Sequence, residues 1–511
     1  MVLCHSRPFA WYPERVRTKR NKKRKHYLGA FDLPSGETVL GQLTLRGPAT
    51  LLNLHSEMYF SRVEPGSCVK GSAQTGECLT LIDCRSAGTG RTSFEHAPTR
   101  YHADVFPHFV AVGRYLFQPR APYITAAHFT ATDLNVLFND YDAFGSLIDA
   151  RPVMDAVLQE RRGMRPVQSG DQPQVCYFTG KTNIVRTSTV LGTISVGHYP
   201  THTMGGSRGV SIKNRIFVSI EPREAITFDD AMTCIDEIGC FLSIAAGRNQ
   251  GIDRISLTTT HKIGDYPEPI AIHPSYPWKA ADKIEHHTPH SADVPLDPID
   301  NYAEFDQVFR DWLSRQPGWR AARLRYLGCM RKGNHYDVER LVAAANMFDI
   351  LPPEAVPPDG GLPIDLATTR DECVISLSKH VPSADRDAAL SALGRLGKSS
   401  LPKKVAFRAA IVEKVFAGRF PDLQFIASVA VKCRNFLVHG GQSDLEFSKL
   451  EHLLPFLTDT LEFVFAASDF IEAGWDASRW NSSSHSWGHT FARYCDQYQF
   501  ASVDLRSTMG R

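Results

Sequence analysis

A proline-rich segment at residues 265–300 divides this 511-residue chain into two parts with different side-chain patterns. The segment holds seven prolines and no sustained periodicity, which is typical of a connection between folded parts. Before it, apolar and polar residues alternate in short runs between turn residues, as in strands. After it, apolar residues recur every three or four positions, as in helices. We therefore expect an α+β multidomain protein, with a β-rich part followed by an all-α helical bundle.

The β-like part contains several runs that predict an antiparallel sheet or sandwich. The clearest of these runs lie at residues 28–47, 101–117, 186–199 and 209–222. A helical run follows at 231–247, and Gly247 is placed to end it as a C-cap. No internal repeat is evident in this part of the chain.

The helical part is expected to begin directly after the proline-rich segment. Its predicted helices span 301–314, 318–331, 334–350, 368–380, 383–396, 401–417, 421–439 and 445–472. The chain should thus consist of a basic arm (1–27), a β-rich N-terminal domain (28–264), a proline-rich linker (265–300) and a helical domain (301–511).

Positive charge is concentrated at the start of the chain. Residues 1–25 hold nine Lys or Arg and one Glu, whereas the formal net charge of the whole chain is only +2, so the remainder is mildly acidic. The arm could supply non-specific, salt-sensitive contacts to nucleic-acid phosphates. The alternative explanations are a disordered solubilising arm and a start codon assigned too far upstream.

Several classes of protein are disfavoured by the composition. No apolar run approaches the length of about 18 residues that crosses a membrane, and no signal-peptide core follows the basic arm. The 11 cysteines include no CxxC pair, which favours reduced thiols over a disulfide framework or a zinc site. His485 and His489 have the spacing of a ligand pair on a helix but lack acidic or cysteine partners nearby. We expect a cytoplasmic protein without a metal or other cofactor.

The sequence VKCRNFLVHGG at residues 431–441 carries the strongest chemical signal. Pro421 and Gly440 suit the first helical position and the position after the last, which predicts a helix over 421–439. One face of this helix is apolar and should pack into the bundle. The opposite sector holds Arg434, Asn435 and His439, but also Val431 and Val438. Valines among polar groups suggest that a second copy of the helix covers this sector.

Arg434, Asn435 and His439 have the chemistry needed for RNA cleavage. Asn435 and His439 are four residues apart, so the amide can orient the imidazole. An imidazole can transfer protons near neutral pH, and a guanidinium can pair with phosphate oxygens. Together they suit metal-free attack of a ribose 2′-hydroxyl on its own 3′-phosphate, a reaction that DNA cannot undergo.

The simplest alternative for Arg434 and His439 is a cation near a helix C-terminus, worth only about 0.3 to 1 kcal/mol. Arg91 and His96 repeat the spacing but lie among glycine and proline, with no predicted helix to fix their relation. The helical setting and the Asn after the Arg therefore distinguish Arg434 and His439 from Arg91 and His96.

The segment RNFLVHG at 434–440 resembles the signature of HEPN domains, in which Arg, a polar residue, three further residues and His lie near the end of a bundle helix. The resemblance implies that Arg434 and His439 are catalytic, with Asn435 in support. It also implies a metal-independent endoribonuclease whose active site forms where two HEPN domains meet.

Segments 27–47, 133–144 and 240–257 are similar to the N-terminal region of ApeA-type proteins, which join a β-rich, sensor-like domain to a HEPN nuclease. This resemblance implies anti-phage defence by cleavage of RNA, with tRNA as the expected target, leading to abortive infection. The implied partners are RNA, a homodimer or higher homo-oligomer formed through the HEPN domain, and a possible phage-derived trigger, but no membrane.

One alternative function stays open, namely a non-catalytic HEPN bundle that binds a nucleotide or a protein. A metal-dependent nuclease is disfavoured because no carboxylates cluster near the histidine pairs. Arg248 and Asn249 are expected in a turn after a helix, and Lys432 and Gln442 on a solvated helix end.

Overall fold

The computed structural model describes residues 25–510 except 94, 96–97, 162, 164–167, 204, 208, 264–265, 281–286, 359–361 and 441–445. Most of the expected basic arm (1–27) therefore lies outside the described residues, and Lys25–Tyr27 open the first strand. The described residues form two compact units. One comprises the described residues within 1–118 and 270–277, and the other those within 119–269 and 278–511.

The strands of the described residues all precede the helical part. In chain order they are β1 (Lys25–Asp32), β2 (Thr38–Leu45), β3 (Leu51–Ser56), β4 (Ser67–Ala73), β5 (Cys78–Thr92), β6 (Arg100–Gly113), β7 (Ile124–Ala131), β8 (Phe144–Ser146), β9 (Cys176–Phe178), β10 (Asn183–Thr189), β11 (Gly192–His198), β12 (Thr201–His202), β13 (Ile212–Lys213), β14 (Ile216–Glu221), β15 (Ile252–Thr259), β16 (Lys262–Ile263), β17 (Tyr266–Pro267) and β18 (Ile270–Pro274).

The helices are likewise numbered in chain order. They are α1 (Leu134–Leu137), α2 (Arg151–Arg161), α3 (Phe228–Ala246), α4 (Tyr302–Met330), α5 (Val338–Asp349), α6 (Ile364–Ser378), α7 (Ala384–Leu393), α8 (Leu401–Val415), α9 (Leu423–His439), α10 (Phe447–Leu450), α11 (Leu454–Glu472), α12 (Ala477–Asn481) and α13 (Thr490–Thr508). The expected fold class, a β-rich N-terminal part before a helical bundle, is confirmed.

The first unit contains a closed antiparallel barrel of six strands. The pairings run β1 to β2, β2 to β3, β3 to β6, β6 to β5, β5 to β4 and β4 back to β1. Alternate residues point inward, and Phe31, Leu43, Leu52 and Val69 are fully buried in the interior. Gly71 lies where a Cβ would meet the Phe31 ring at 2.5 Å, so this position needs glycine.

The second unit pairs β10, β11, β14, β7 and β15 in an antiparallel sheet. Helix α3 begins three residues earlier than expected because Thr227 and Asp230 form a capping box. It ends at Gly247, as predicted, with a left-handed φ of 67°. Phe241 of α3 packs against Phe309 and Trp312 of α4, so the sheet-associated helix and the bundle share apolar contacts within this unit.

The largest differences between the expected helices and the structure lie in α4 and after α9. Two helices were expected at 301–314 and 318–331, but α4 is continuous through Pro317. Proline removes one backbone hydrogen bond, and the burial of Trp312 and Trp319 on either side holds the helix together. The expected helix at 445–472 is broken before α11, and α12 and α13 were not predicted. Helices α6 and α7 contain no buried residue.

A buried carboxylate, Asp469 of α11, ties the long helix α4 into the bundle. Arg323, fully buried, donates to both carboxylate oxygens at 2.9 Å, and Arg315 donates to Oδ1 at 2.9 Å. The indole N–H of Trp312 donates to Oδ2 at 3.0 Å. Burial alone would raise the pKa of Asp469, but the charges of Arg323 and Arg315 outweigh it and lower the pKa below its ordinary value. The carboxylate is therefore ionised and compensated.

In the part of the chain that the structure describes, no helix is both long and apolar enough to span a bilayer. The division into four segments at 27, 264 and 300 stays a prediction, which limited proteolysis can test.

We expect Asp469→Ala to lower the free energy of unfolding by about 3 to 5 kcal/mol, because it leaves Arg323 buried without a counter-charge. Urea unfolding followed by circular dichroism measures the change. Asp371→Ala is the matched control, since Asp371 is exposed and its ion pair is with its neighbour Arg370, and its cost should stay within about 0.5 kcal/mol. Equal costs for the two substitutions would contradict the role assigned to Asp469.

Candidate active site

The candidate site lies at the C-terminal end of α9. The helix was expected to start at Pro421, but it starts at Leu423, because Asp422 adopts a left-handed conformation with φ of 66°. Arg506 forms an ion pair with Asp422, and the Tyr498 hydroxyl donates to the carbonyl of Pro421. At the other end, Gly440 has φ of 62° and its N–H donates to Phe436 at 2.9 Å. The predicted glycine stop is thus confirmed, and His439 is the last helical residue.

The apolar face of α9 is buried as its pattern predicts. Leu423, Ile426, Val429, Ala430 and Cys433 are all at most 1% exposed. These contacts fix the rotation of the helix and therefore the side on which its polar residues lie.

The two valines of the polar sector differ from each other. Val431 is 1% exposed, so the chain itself covers it and no second copy is needed to explain it. Val438, next to His439, remains 46% exposed. Of the two valines, Val438 alone is an apolar side chain that a second copy of the helix would cover.

Arg434 is held by two side-chain amides. Its Nη1 donates to Oδ1 of Asn435 at 2.9 Å, and its Nη2 donates to Oδ1 of Asn346 on α5 at 2.7 Å. The same Nη1 lies 3.5 Å from Nε2 of His439, so the guanidinium and the imidazole meet at the helix end. The three residues predicted from the sequence are therefore brought together.

The guanidinium of Arg434 differs in its surroundings from the arginines that stabilise the bundle. Arg323 pairs with Asp469, Arg340 with Glu462 at 2.7 Å and Arg408 with Glu472 at 2.6 Å. Arg434 makes no salt bridge within the residues that the structure covers, and both of its recorded acceptors are neutral. Among the described residues its charge is fixed in place but not compensated, which suits binding of an anion.

The Nε of Arg434 is buried and has no hydrogen-bond partner among the described residues. Nη2 of Arg408, which pairs with Glu472, is in the same condition, so an open donor does not by itself distinguish Arg434. The distinction lies in the charge of the acceptors.

His439 is exposed at the end of α9, where a substrate can reach it. An exposed imidazole beside an uncompensated guanidinium provides a proton-transfer group and a charge stabiliser within one small area. A phosphate near Arg434 would therefore place its ester oxygens close to the imidazole.

Asn346 was not predicted from the sequence. It is a half-buried amide in the apolar helix VERLVAAANMFD, 88 residues before Arg434. The sequence signal for Asn346 was a single amide between buried apolar neighbours. This signal does not identify Arg434 as its partner, because that contact depends on how α5 packs against α9.

Two other candidates from the sequence, Arg248 and Lys432, make no recorded hydrogen bond to Arg434, Asn435 or His439 among the described residues. Arg248, expected in a turn, is buried and paired with Asp133 at 2.6 Å, and Gly251 follows the turn. Lys432 is exposed, as expected for a helix end. His96, the partner of Arg91 in the repeated spacing, and Gln442 lie outside the described residues.

His485 and His489 do not face one another as a ligand pair. The ring nitrogens of His485 lie 3.0 Å from the carbonyl oxygen of Ala292 and 2.6 Å from that of Trp480. His489 caps α13, accepting from the N–H of Phe491 at 3.1 Å, and its burial lowers the pKa of its imidazole to about 3. Both rings thus have structural roles.

Comparison with protein-family models identifies two regions of the chain. Residues 26–312 match the model of ApeA N-terminal domain 1, and residues 365–479 match the model of the Apea-like HEPN domain, which includes the candidate site. No curated protein and no solved structure matches the chain.

Arg434→Ala should change the free energy of unfolding by about 1 kcal/mol or less, because Arg434 neutralises no buried carboxylate. Arg340→Ala is the matched control on the neighbouring helix, and it should cost about 3 to 5 kcal/mol because it strands the buried Glu462. Thermal and urea unfolding of both variants measure the difference. A loss for Arg434→Ala as large as that for Arg340→Ala would show that Arg434 is a structural residue.

Proposed function

Because the chain belongs to the family of ApeA-type HEPN proteins, we propose that Arg434, Asn435 and His439 form the active site of a metal-independent endoribonuclease. The family is one of defence-associated HEPN nucleases. The observation that carries the proposal is the position of Arg434, held by two amides, 3.5 Å from an exposed imidazole.

The proposed reaction is a transesterification within the RNA chain. The ribose 2′-oxygen attacks the adjacent phosphorus while a base takes its proton, and the bond from phosphorus to the 5′-oxygen breaks as an acid protonates that oxygen. The products are a 2′,3′-cyclic phosphate and a 5′-hydroxyl end. His439 transfers a proton, and Arg434 stabilises the additional negative charge on the phosphoryl oxygens.

Asn435 has a positioning role in this scheme. Its Oδ1 accepts from Nη1 of Arg434 at 2.9 Å, and this same nitrogen is the one nearest to His439. The amide thereby sets the direction in which the guanidinium presents its remaining donors.

The proposed substrate is RNA, because the reaction consumes a 2′-hydroxyl that DNA lacks. A structured RNA such as tRNA is proposed as the target, and its cleavage after infection would stop translation and cause abortive infection. The N-terminal β-rich region is proposed to sense a phage-derived trigger and to restrain the nuclease in uninfected cells, in the cytoplasm.

The proposed active form is a homodimer or a higher homo-oligomer joined through the HEPN domain. The reaction needs both a base and an acid, and each copy offers one histidine beside Arg434 in the described site. Val438, 46% exposed and adjacent to His439, offers an apolar contact at which a second copy would bring its own His439 close.

His439→Ala should lower RNA cleavage by about 10² to 10⁴-fold, because it removes the proton-transfer group. Purified protein is incubated with total tRNA in EDTA, and the fragments are examined for 2′,3′-cyclic phosphate ends. His335→Ala is the control, since His335 is largely exposed in the turn between α4 and α5. Undiminished cleavage by His439→Ala would refute the proposal, and absence of cleavage by the wild type would favour the non-catalytic nucleotide- or protein-binding alternative.

Val438→Glu should shift the protein from dimer to monomer and lower cleavage, because it places a charge in the proposed contact between copies. Sedimentation equilibrium measures the mass, and cleavage is assayed over a range of protein concentrations. Raising the concentration should restore part of the activity, which a direct effect on His439 would not allow. Val503→Glu on α13, where Val503 is 60% exposed, is the control for an added surface charge. A fully active wild-type monomer would contradict the shared site.

A further inference from the structure

Asn346 is the residue outside α9 that holds the guanidinium of Arg434. It belongs to α5, and its side-chain oxygen accepts from Nη2 of Arg434 at 2.7 Å. Since a guanidinium only donates hydrogen bonds, the atom that faces it must be the amide oxygen. Asn346 and Asn435 thus contact different nitrogens of the same guanidinium.

We infer that Asn346 is a positioning residue for RNA cleavage, and that it must be neutral to fulfil this role. The inference rests on the proposed function of Arg434. It adds a residue of another helix to the site, together with a requirement on its charge.

The charge requirement follows from what Arg434 has to do. A carboxylate at position 346 would form a charge-assisted pair with the guanidinium and compensate the charge that the phosphoryl oxygens need. An amide offers a hydrogen-bond acceptor of nearly the same shape without that compensation. The position is therefore suited to orienting Arg434 while leaving its charge available to substrate.

The rest of the bundle shows that this choice is not forced by burial. The buried arginines Arg323 and Arg340 join helices of this domain through carboxylates, those of Asp469 and Glu462, whereas the more exposed Arg386 joins α7 to α6 through backbone carbonyls. Arg434 also joins two helices, α9 and α5, but through an amide. If the contact served stability alone, an aspartate at position 346 would do at least as well.

The structural and positioning roles therefore make opposite predictions for Asn346→Asp. If Asn346 has only a structural role, position 346 needs a hydrogen-bond acceptor, and aspartate still provides one. Asn346→Asp should then preserve cleavage, and Asn346→Ala should be the less active variant. A positioning role with a neutral acceptor requires Asn346→Asp to be the worse enzyme, even though its fold is at least as stable as the wild type.

The experiment compares kcat, KM and the melting temperature of full-length wild type, Asn346→Ala and Asn346→Asp, with a defined tRNA as substrate. We expect Asn346→Ala to lower kcat about 10-fold, because of its two amide anchors among the described residues the guanidinium then keeps Asn435. We expect Asn346→Asp to lower kcat about 100-fold or more, with a melting temperature equal to or above that of the wild type. KM should change less than kcat, because the compensated charge is needed most in the transition state.

Asn334→Asp is the matched control. Asn334 is exposed in the turn before α5, so the substitution adds the same charge at the opposite end of that helix, away from Arg434. Its kcat should stay within about 2-fold of the wild type.

Each other outcome is decisive. Cleavage by Asn346→Asp at the wild-type rate, or above that of Asn346→Ala, would overturn the inference and leave the proposed function standing if His439→Ala is inactive. An equal loss in Asn334→Asp would also overturn it, since the charge would then act without regard to position. A wild type that cleaves no RNA would overturn both the proposed function and the inference.

Discussion

The helical part of this protein is organised around carboxylates buried on one helix, α11. Asp469 holds Arg323 and Arg315 of α4, and Glu462 holds Arg340 of α5. Buried charges of this kind cost a large desolvation free energy, which is recovered only if every partner is in place. The position of α5 is thus set by α11, and α5 in turn presents Asn346 to Arg434. The geometry of the candidate site depends on ion pairs that lie far from it in the sequence.

The arginines of the bundle show how the same side chain serves two purposes. Where the acceptor is a carboxylate, the guanidinium is neutralised and contributes to the stability of the fold. Where the acceptors are amides, as for Arg434, the guanidinium is oriented but retains its charge. The residue type does not reveal this difference, which becomes visible when the partners of each arginine are compared.

The sequence could predict the features that are local. The polar triad of Arg434, Asn435 and His439 spans one helical turn and a half, so the period of the helix was enough to place its members together. The fold class followed from the change of period near residue 300. Features that depend on packing could not be predicted, among them Asn346 as a partner of Arg434, the burial of Val431 and the continuity of α4 through Pro317. The pairing of β1 with β4, which closes the barrel, likewise depends on contacts across distant strands.

The closed barrel of the first unit has a consequence for how it can recognise another molecule. Within the closed ring of pairings each of the six strands is bonded to a neighbour on both sides, so the ring itself offers no open edge to an incoming strand. Addition of a peptide strand, a common way for β-domains to bind unrelated proteins, is therefore confined to extensions beyond the ring, such as residues 85–92 of β5, which pair with β6 but not with β4. A ligand of the ring has to be distinguished by the side chains of its outer surface and its connecting loops. Those are the positions that can change in sequence without disturbing the hydrogen-bonded frame.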